Sequence, residues 1–274
     1  MRIDLHTHST YSDGTLEPED LILCASKLGI THLALSDHDS TGGLEAARLK
    51  AKEFDMTVIS AIEINTIETN SSVHILGYFI DENNQDLQNK LNHHRQIRET
   101  RAQMIIDKLR RMGIKIALSD FNGRKEKAAI GRPHIADKLK EKGIVFSRQE
   151  AFDKYLSKGR PAYIIYEGPS PQDAIDTILA CKGIPVLAHP GYFVPTDAIV
   201  ALAKMGLQGI ETYYPSHKPD QIRNFIEIAK QNDLVVTGGS DYHGPGSGHE
   251  AIGEFTAPED SIEKLLQRKA KLFG

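Results

Sequence analysis

Short apolar runs, each too brief for a helix, alternate along the chain with segments of helical spacing, and this alternation limits the fold more than any other feature. Runs at 3–5, 31–38, 56–65, 73–79, 184–189, 209–214 and 234–243 read as strands rich in Val, Ile and Leu. Helical patterns at 18–28, 41–54, 171–180, 196–205 and 219–231 fall between them. Such alternation predicts a parallel sheet covered by helices, and this many strands favour closure into a barrel over an open, doubly wound sheet. A dinucleotide-binding sheet is excluded at its first turn, because the first strand runs into His6-Thr7-His8 and not into a glycine-rich phosphate loop.

Between 84 and 166 the pattern changes. Leu87, Leu91, Ile97, Met104, Ile105, Leu109 and Met112 follow a helical stripe that Gly113 ends, and shorter helical stretches cover 134–142 and 148–156. The change predicts an α/β barrel built from 1–83 and 167–274, with a mainly helical insert, 84–166, in one connection. Charge divides at the same places. The net −4 combines an insert at +10, with 19 lysines and arginines against 9 aspartates and glutamates, and −14 in everything else. A basic insert beside an acidic body suits an anion in one part and cations in the other. No run approaches the roughly 18 apolar residues of a membrane span, and the opening residues lack the apolar core of a signal peptide. Cys24 and Cys181, both in helical patterns, read as small buried hydrophobes and not as a disulfide. A cytoplasmic protein with no membrane and no obligate protein partner is expected.

The chemistry lies in the placement of the histidines, of which there are 12. His6, His8, His38, His74, His189 and His243 fall at or just past the C-terminal end of a predicted strand, as do Asp37, Glu63, Glu211 and Asp241. In a parallel barrel those ends share one face. Imidazoles and carboxylates gathered there cannot satisfy one another, because like charges repel; divalent cations resolve the conflict. Mixed imidazole and carboxylate donors suit Mn²⁺, Fe²⁺ or Zn²⁺ better than the all-oxygen sites of Mg²⁺ or Ca²⁺. Neither cysteine ends a strand, so covalent catalysis has no obvious nucleophile.

Other polar residues carry weaker signals. Asp37 is expected to orient an imidazole, Asp39 to cap a helix, and His93 and His94 to face solvent; His249 stands out in no way. Arg132, beside Pro133 at a helix start, has the fork that matches phosphate, with His134 next to it. His217, just past the strand at 209–214, is placed to contact phosphate or to give a proton to a leaving oxygen.

Asp4-Leu5-His6-Thr7-His8-Ser9, Ser12-Asp13-Gly14, Leu35-Ser36-Asp37-His38, Glu63, His74, Ala188-His189-Pro190 and Gly239-Ser240-Asp241-Tyr242-His243 together resemble the PHP (polymerase and histidinol phosphatase) family. Ser36 stands where many members have Thr. With Gly131-Arg132-Pro133-His134 in the insert, the chain is similar to the TrpH-like branch, whose members act on nucleotide 3′,5′-bisphosphates and on 5′ ends of short RNA. The resemblance implies a distorted (β/α)7 barrel with a helical insert domain and three divalent metal ions, Mn²⁺ being the expected one. His6, His8, Glu63 and Asp241 would hold the first, Glu63, His74 and His189 the second, and Asp13, His38 and His243 the third. It further implies catalytic roles for Glu63, Asp241 and His217, and phosphate contacts from Arg132, His134 and His217.

The implied activity is hydrolysis of phosphate esters of nucleotides by a hydroxide bridging two metals, the substrate being a nucleotide or short oligonucleotide. Histidinol phosphatase, the alternative within the family, gives no reason for a basic insert. A nucleic-acid-binding module with structural metals, the alternative of another class, predicts missing ligands, and none is missing.

Overall fold

The computed structural model describes residues 2–67, 73–123, 128–191 and 194–274; Met1 and the basic stretch 124–127 lie outside the described residues. One sheet takes its strands in chain order: β1 (Ile3–Thr7), β2 (His32–Leu35), β3 (Thr57–Asn65), β4 (His74–Tyr78), β5 (Ile184–Leu187), β6 (Gly209–Tyr213) and β7 (Val235–Gly238). A bridge between Thr7 and Tyr242 brings the segment after β7 back beside β1, so the sheet nearly closes into a barrel. Around it lie α1 (Pro18–Lys27), α2 (Leu44–Ala51), α6 (Pro171–Ala180), α7 (Thr196–Lys204), α8 (Pro219–Gln231) and α9 (Ser261–Phe273), while α3 (Gln85–Arg111), α4 (Arg132–Glu141) and α5 (Arg148–Ala151) belong to the inserted stretch. No helix among the described residues is long and apolar enough to cross a membrane.

The sheet is mixed, which corrects the expectation of a parallel one. β4 runs antiparallel to both β3 and β5, while the remaining neighbours are parallel. Only residues 66–73 separate β3 from β4, too few for the crossover of roughly a dozen residues that a parallel neighbour needs. His74 therefore begins its strand instead of ending it. Because β4 runs in the opposite sense, His74 pairs with Asn65 at the far end of β3 and still arrives on the same rim.

Below that rim, Ile3, Leu5, Ala34, Ile59, Ala61, Leu76, Tyr78, Ile184, Val186 and Val235 form one buried cluster. It draws on most of the strands, as the interior of a closing sheet must. Leu265 of α9, fully buried, joins it, and Ser261 Oγ donates to the Val236 carbonyl. α3 then links barrel to insert. Its 27 residues span about 40 Å. Leu87 and Leu91 pack with barrel residues such as Ile175 and Ile178, whereas Ala102, Ile105, Ile106 and Leu109 share a separate core with Ile135, Leu139 and Leu156.

Gly239 ties the fold to the rim. A Cβ there would fall 2.5 Å from the backbone nitrogen of His6. Gly239→Ala should push the segment carrying Asp241 off β1, costing about 1–3 kcal/mol and weakening metal retention. Thermal denaturation and metal analysis check this; an unchanged midpoint and metal content would contradict it.

Candidate metal centre

The two imidazoles of β1 set the chemistry. His6 Nδ1 lies 3.0 Å from Glu211 Oε1, an acceptor only, so Nδ1 carries the proton and Nε2 presents a lone pair in the neutral ring. His8 Nδ1 lies 3.3 Å from Ser12 Oγ, whose own proton goes to Asp37 Oδ1 at 2.6 Å, so His8 Nε2 also presents a lone pair. The two Nε2 atoms face each other at 3.1 Å. Around them, Glu63 Oε2 stands 3.4 Å from His6 and 3.3 Å from His8, and Asp241 Oδ1 stands 3.3 and 3.2 Å away. Lone pairs and carboxylate oxygens converging so closely repel unless positive charge, as protons or as a cation, lies among them.

The pattern continues along the rim. His243 Nδ1 donates to the Asp241 carbonyl at 2.7 Å, leaving Nε2 to face Asp13 Oδ1 at 3.2 Å. That Asp13 oxygen is buried without a hydrogen bond, and His38 Nε2 lies 3.8 Å from it. His38 Nδ1 approaches Glu63 Oε2 to 2.9 Å in an orientation that makes no hydrogen bond. Glu63 Oε1 meets His74 Nδ1 at 2.8 Å and His189 Nε2 at 3.0 Å. Among the described residues, three groups have potential ligand atoms within 4.8 Å of one another: His6, His8, Glu63 and Asp241; His8, Asp13, His38 and His243; His38, Glu63 and His74. These donor sets fit divalent cations. Every residue expected in a metal shell is brought to this rim; the finer partition differs in that His8 joins the Asp13 group, His38 the Glu63–His74 group, and His189, although 3.0 Å from Glu63, falls in none of the three.

The local chain explains how they get there. Asp37 accepts from Ser9 N, Ser9 Oγ and Ser12 Oγ at 2.7, 2.7 and 2.6 Å, so it builds the turn after β1 and reaches an imidazole, that of His8, only through Ser12. Gly14 closes that turn, where a Cβ would lie 2.5 Å from the His8 carbonyl oxygen. Asp39 is no helix cap: it is fully buried at φ 50°, and Arg98 Nε donates to its Oδ2 at 2.6 Å. His94 lies buried beside it, 3.3 Å from Oδ1, and does not face solvent. Positive φ at Asp39, His189 and Asp241 concentrates strained backbone at the rim. Glu211 braces two ligands at once, since its Oε2 accepts the His189 N–H at 2.8 Å. Tyr214 donates its hydroxyl to Asp241 Oδ2 at 3.0 Å; burial and the charges of Asp241 and Glu211 push that phenol up, so it keeps its proton.

Charges in the cluster hold one another. Burial alone would raise Glu63, but His38, His6 and His74 outweigh it and keep the carboxyl well below its usual range. Asp13 and Asp241 are depressed in the same way. Burial would lower His243, yet Asp13 and Asp241 overcome it and raise the ring to about 9. For His74 burial wins, and it falls to about 4.

A cavity of about 580 Å³ opens over Asp13, His38, His243 and His249, walled on the far side by Pro133, Lys140, Ser147, Arg148 and Phe152 of the insert. Arg148 grips Asp137 and donates to the Ser247 carbonyl at 3.3 Å, joining the insert to the loop after β7. The residues expected to bind phosphate fare differently. Arg132 places its guanidinium 5.9 Å from the rings of both Phe152 and Tyr163. His134 Nδ1 accepts the Gly131 N–H at 2.9 Å, and the ring borders a separate hollow with Asp120, Asp137, Lys138 and Glu141, apart from the cavity over the donor cluster. His217 is buried with both nitrogens engaged by backbone, Nδ1 donating to the Thr212 carbonyl at 2.9 Å and Nε2 accepting the Gly191 N–H at 3.1 Å. It joins the loops after β5 and β6. Arg98 carried no signal in the sequence, yet its Nη2 is buried without a hydrogen-bond partner, and its charge is felt by His38 and Asp13. His249 was equally silent and lies 3.5 Å from Asp241 Oδ2.

Comparison with known proteins agrees with this geometry. The PHP domain family matches residues 4–181. A 5′-3′ exoribonuclease of Haemophilus influenzae is 35% identical over 251 residues, covering 89% of this chain and 90% of that protein. A 3′,5′-nucleoside bisphosphate phosphatase of Chromobacterium violaceum is 33% identical over 264 residues, covering 92% and 90%. A crystal structure from Bifidobacterium adolescentis, described as a candidate metal-dependent phosphoesterase, superposes with a TM-score of 0.89 at 31% identity over 97% of this chain and 95% of that one.

Metal uptake should release protons. With His243 raised to about 9 in the metal-free cluster, the ring is protonated at neutral pH and must lose that proton to become a ligand. Affinity should therefore climb as pH rises from about 6 towards 9, and calorimetry in buffers of different ionisation enthalpy should show net proton release near pH 7. Uptake without proton release would contradict this.

Proposed function

The chain belongs to the PHP family of metal-dependent phosphoesterases, and from that premise we propose that it hydrolyses phosphate esters of nucleotides, namely 3′,5′-bisphosphates or the 5′ ends of short RNA. One observation carries the reading: a donor cluster fitted to divalent cations opens into a cavity whose opposite wall comes from a basic insert. We assign three ions, Mn²⁺ by preference, to the shells of His6, His8, Glu63 and Asp241; Glu63, His74 and His189; and Asp13, His38 and His243. When bound, such ions activate water and neutralise phosphate oxygens.

The chain's own residues supply position and charge. Glu63, fully buried, spans the cluster, and Glu211 fixes the ring of His6 and the backbone of His189. Tyr214 holds Asp241, and His217 holds the turn that carries His189. The second phosphate falls to Arg98. Its Nε is anchored by Asp39 and its Nη1 lies near Gly131, at the start of α4, so the buried Nη2, without a hydrogen-bond partner among the described residues, would meet an anion held at that helix start. Arg132, the first residue of α4, carries a second guanidinium, over Phe152 and Tyr163. Histidinol phosphate has nothing to offer these groups.

Phosphate release with Mn²⁺ from nucleotide 3′,5′-bisphosphates, 5′-phosphorylated oligonucleotides and histidinol phosphate tests the proposal; preference for histidinol phosphate would overturn it. Arg98→Lys keeps the charge on Asp39 but loses the fork. It should raise KM for a bisphosphate roughly tenfold or more, as expected for a lost charge-assisted hydrogen bond, and leave p-nitrophenyl phosphate nearly unchanged. Equal losses on both would show that Arg98 serves only the fold.

A further inference from the structure

Phe146 is 93% exposed, far more than any other large apolar side chain among the described residues. The fold makes no use of its ring. Phe146 directly precedes Ser147, the N-cap of α5, where an apolar residue ordinarily packs back onto the helix's first turn. Here Ala151 is buried in the core of the insert instead, and Phe146 stays in water. Its backbone is nevertheless fixed: the Phe146 N–H donates to Glu150 Oε2 at 2.6 Å, and Ser147 Oγ accepts the Glu150 N–H at 3.1 Å. The ring is thus presented from a tied turn.

That turn borders the cavity. Ser147, Arg148 and Gln149 line it opposite Asp13, His38 and His243, and the Phe146 Cα is one step, about 3.8 Å, from that of Ser147. Lys140 lines the same wall. The chain just before it is polar, with Lys140, Glu141, Lys142 and Gly143 all exposed. An exposed aromatic in an insert of net charge +10 has the makings of a site for single-stranded nucleic acid, where cations follow the phosphates and bases stack on rings.

We propose that Phe146 stacks a base of an oligonucleotide beyond the nucleotide whose phosphate lies over the metal cluster, so that this residue favours short single strands over mononucleotides. This rests on the function proposed above and adds a contact that a lone bisphosphate does not reach. Stacking uses the π-face shared by all bases, so the preference is for chain length and not for sequence.

The test compares a 5′-phosphorylated trinucleotide with a nucleotide 3′,5′-bisphosphate. Phe146→Ala should raise KM for the trinucleotide roughly five- to tenfold, the low end of what one base–aromatic stack gives, with kcat unchanged and the bisphosphate unaffected. Phe146→Trp should restore it. The chain has no tryptophan, so Phe146→Trp also supplies a lone fluorophore. In the Mn²⁺-loaded variant, a hydrolysis-resistant phosphorothioate trinucleotide should quench it saturably and the bisphosphate should not. Equal KM changes on both substrates, or no quenching at trinucleotide concentrations that inhibit bisphosphate hydrolysis, would overturn the assignment. If the unaltered enzyme hydrolysed neither substrate, the proposed function would fall, and the quenching titration would still decide whether Phe146 stacks a base.

Discussion

Glu63 is the group on which the site turns. Its carboxylate is fully buried and lies against His6, His8, His38, His74 and His189, whose rings come from different parts of the barrel rim. A buried carboxylate among so many imidazoles is stable only while positive charge is shared around it, as protons or as metal ions. Much of the surrounding architecture holds that geometry: Glu211 and Ser12 fix the proton on the far nitrogen of His6 and His8, and Tyr214 holds the outer oxygen of Asp241. The lone pairs converge because each outward nitrogen is already committed elsewhere.

The barrel achieves this convergence by departing from regular geometry. β4 is reversed, which lets a short connection place His74 opposite the end of β3. The pairing of β1 with β2 slips between Asp4 and Thr7, next to His6, and the backbone takes positive φ at His189 and Asp241, two more members of the donor cluster. α3 performs the complementary task. Its first half packs into the barrel and its second half carries the core of the insert, while Arg98 between them reaches the rim through Asp39. The donor cluster and residues of the basic insert thereby border one cavity.

The strands, most helices and most of the candidate ligands were legible in the sequence because strand ends leave a local signature, an apolar run that stops in His or Asp; Asp13, in the turn after β1, came only with the family resemblance, and His74 begins its strand. Direction is not in that signature, so β4 could not be distinguished from a parallel strand. α9 escaped notice because no strand follows it to complete a repeat. The substrate-side residues were the least legible. Arg98 is one cation among many on a basic helix, and what turns it inward is Asp39, remote in sequence. His217 and His134 looked free in the sequence because their partners are backbone groups of other loops or of the same helix start, which no residue pattern records.

The most direct test counts divalent ions per chain, by mass spectrometry, in the unaltered protein and in Glu63→Gln, with circular dichroism to confirm that both are folded. Because the Glu63 carboxylate belongs to two of the donor groups, its neutralisation should remove more than one ion from a folded chain. A folded Glu63→Gln protein that keeps its full complement of ions would contradict this.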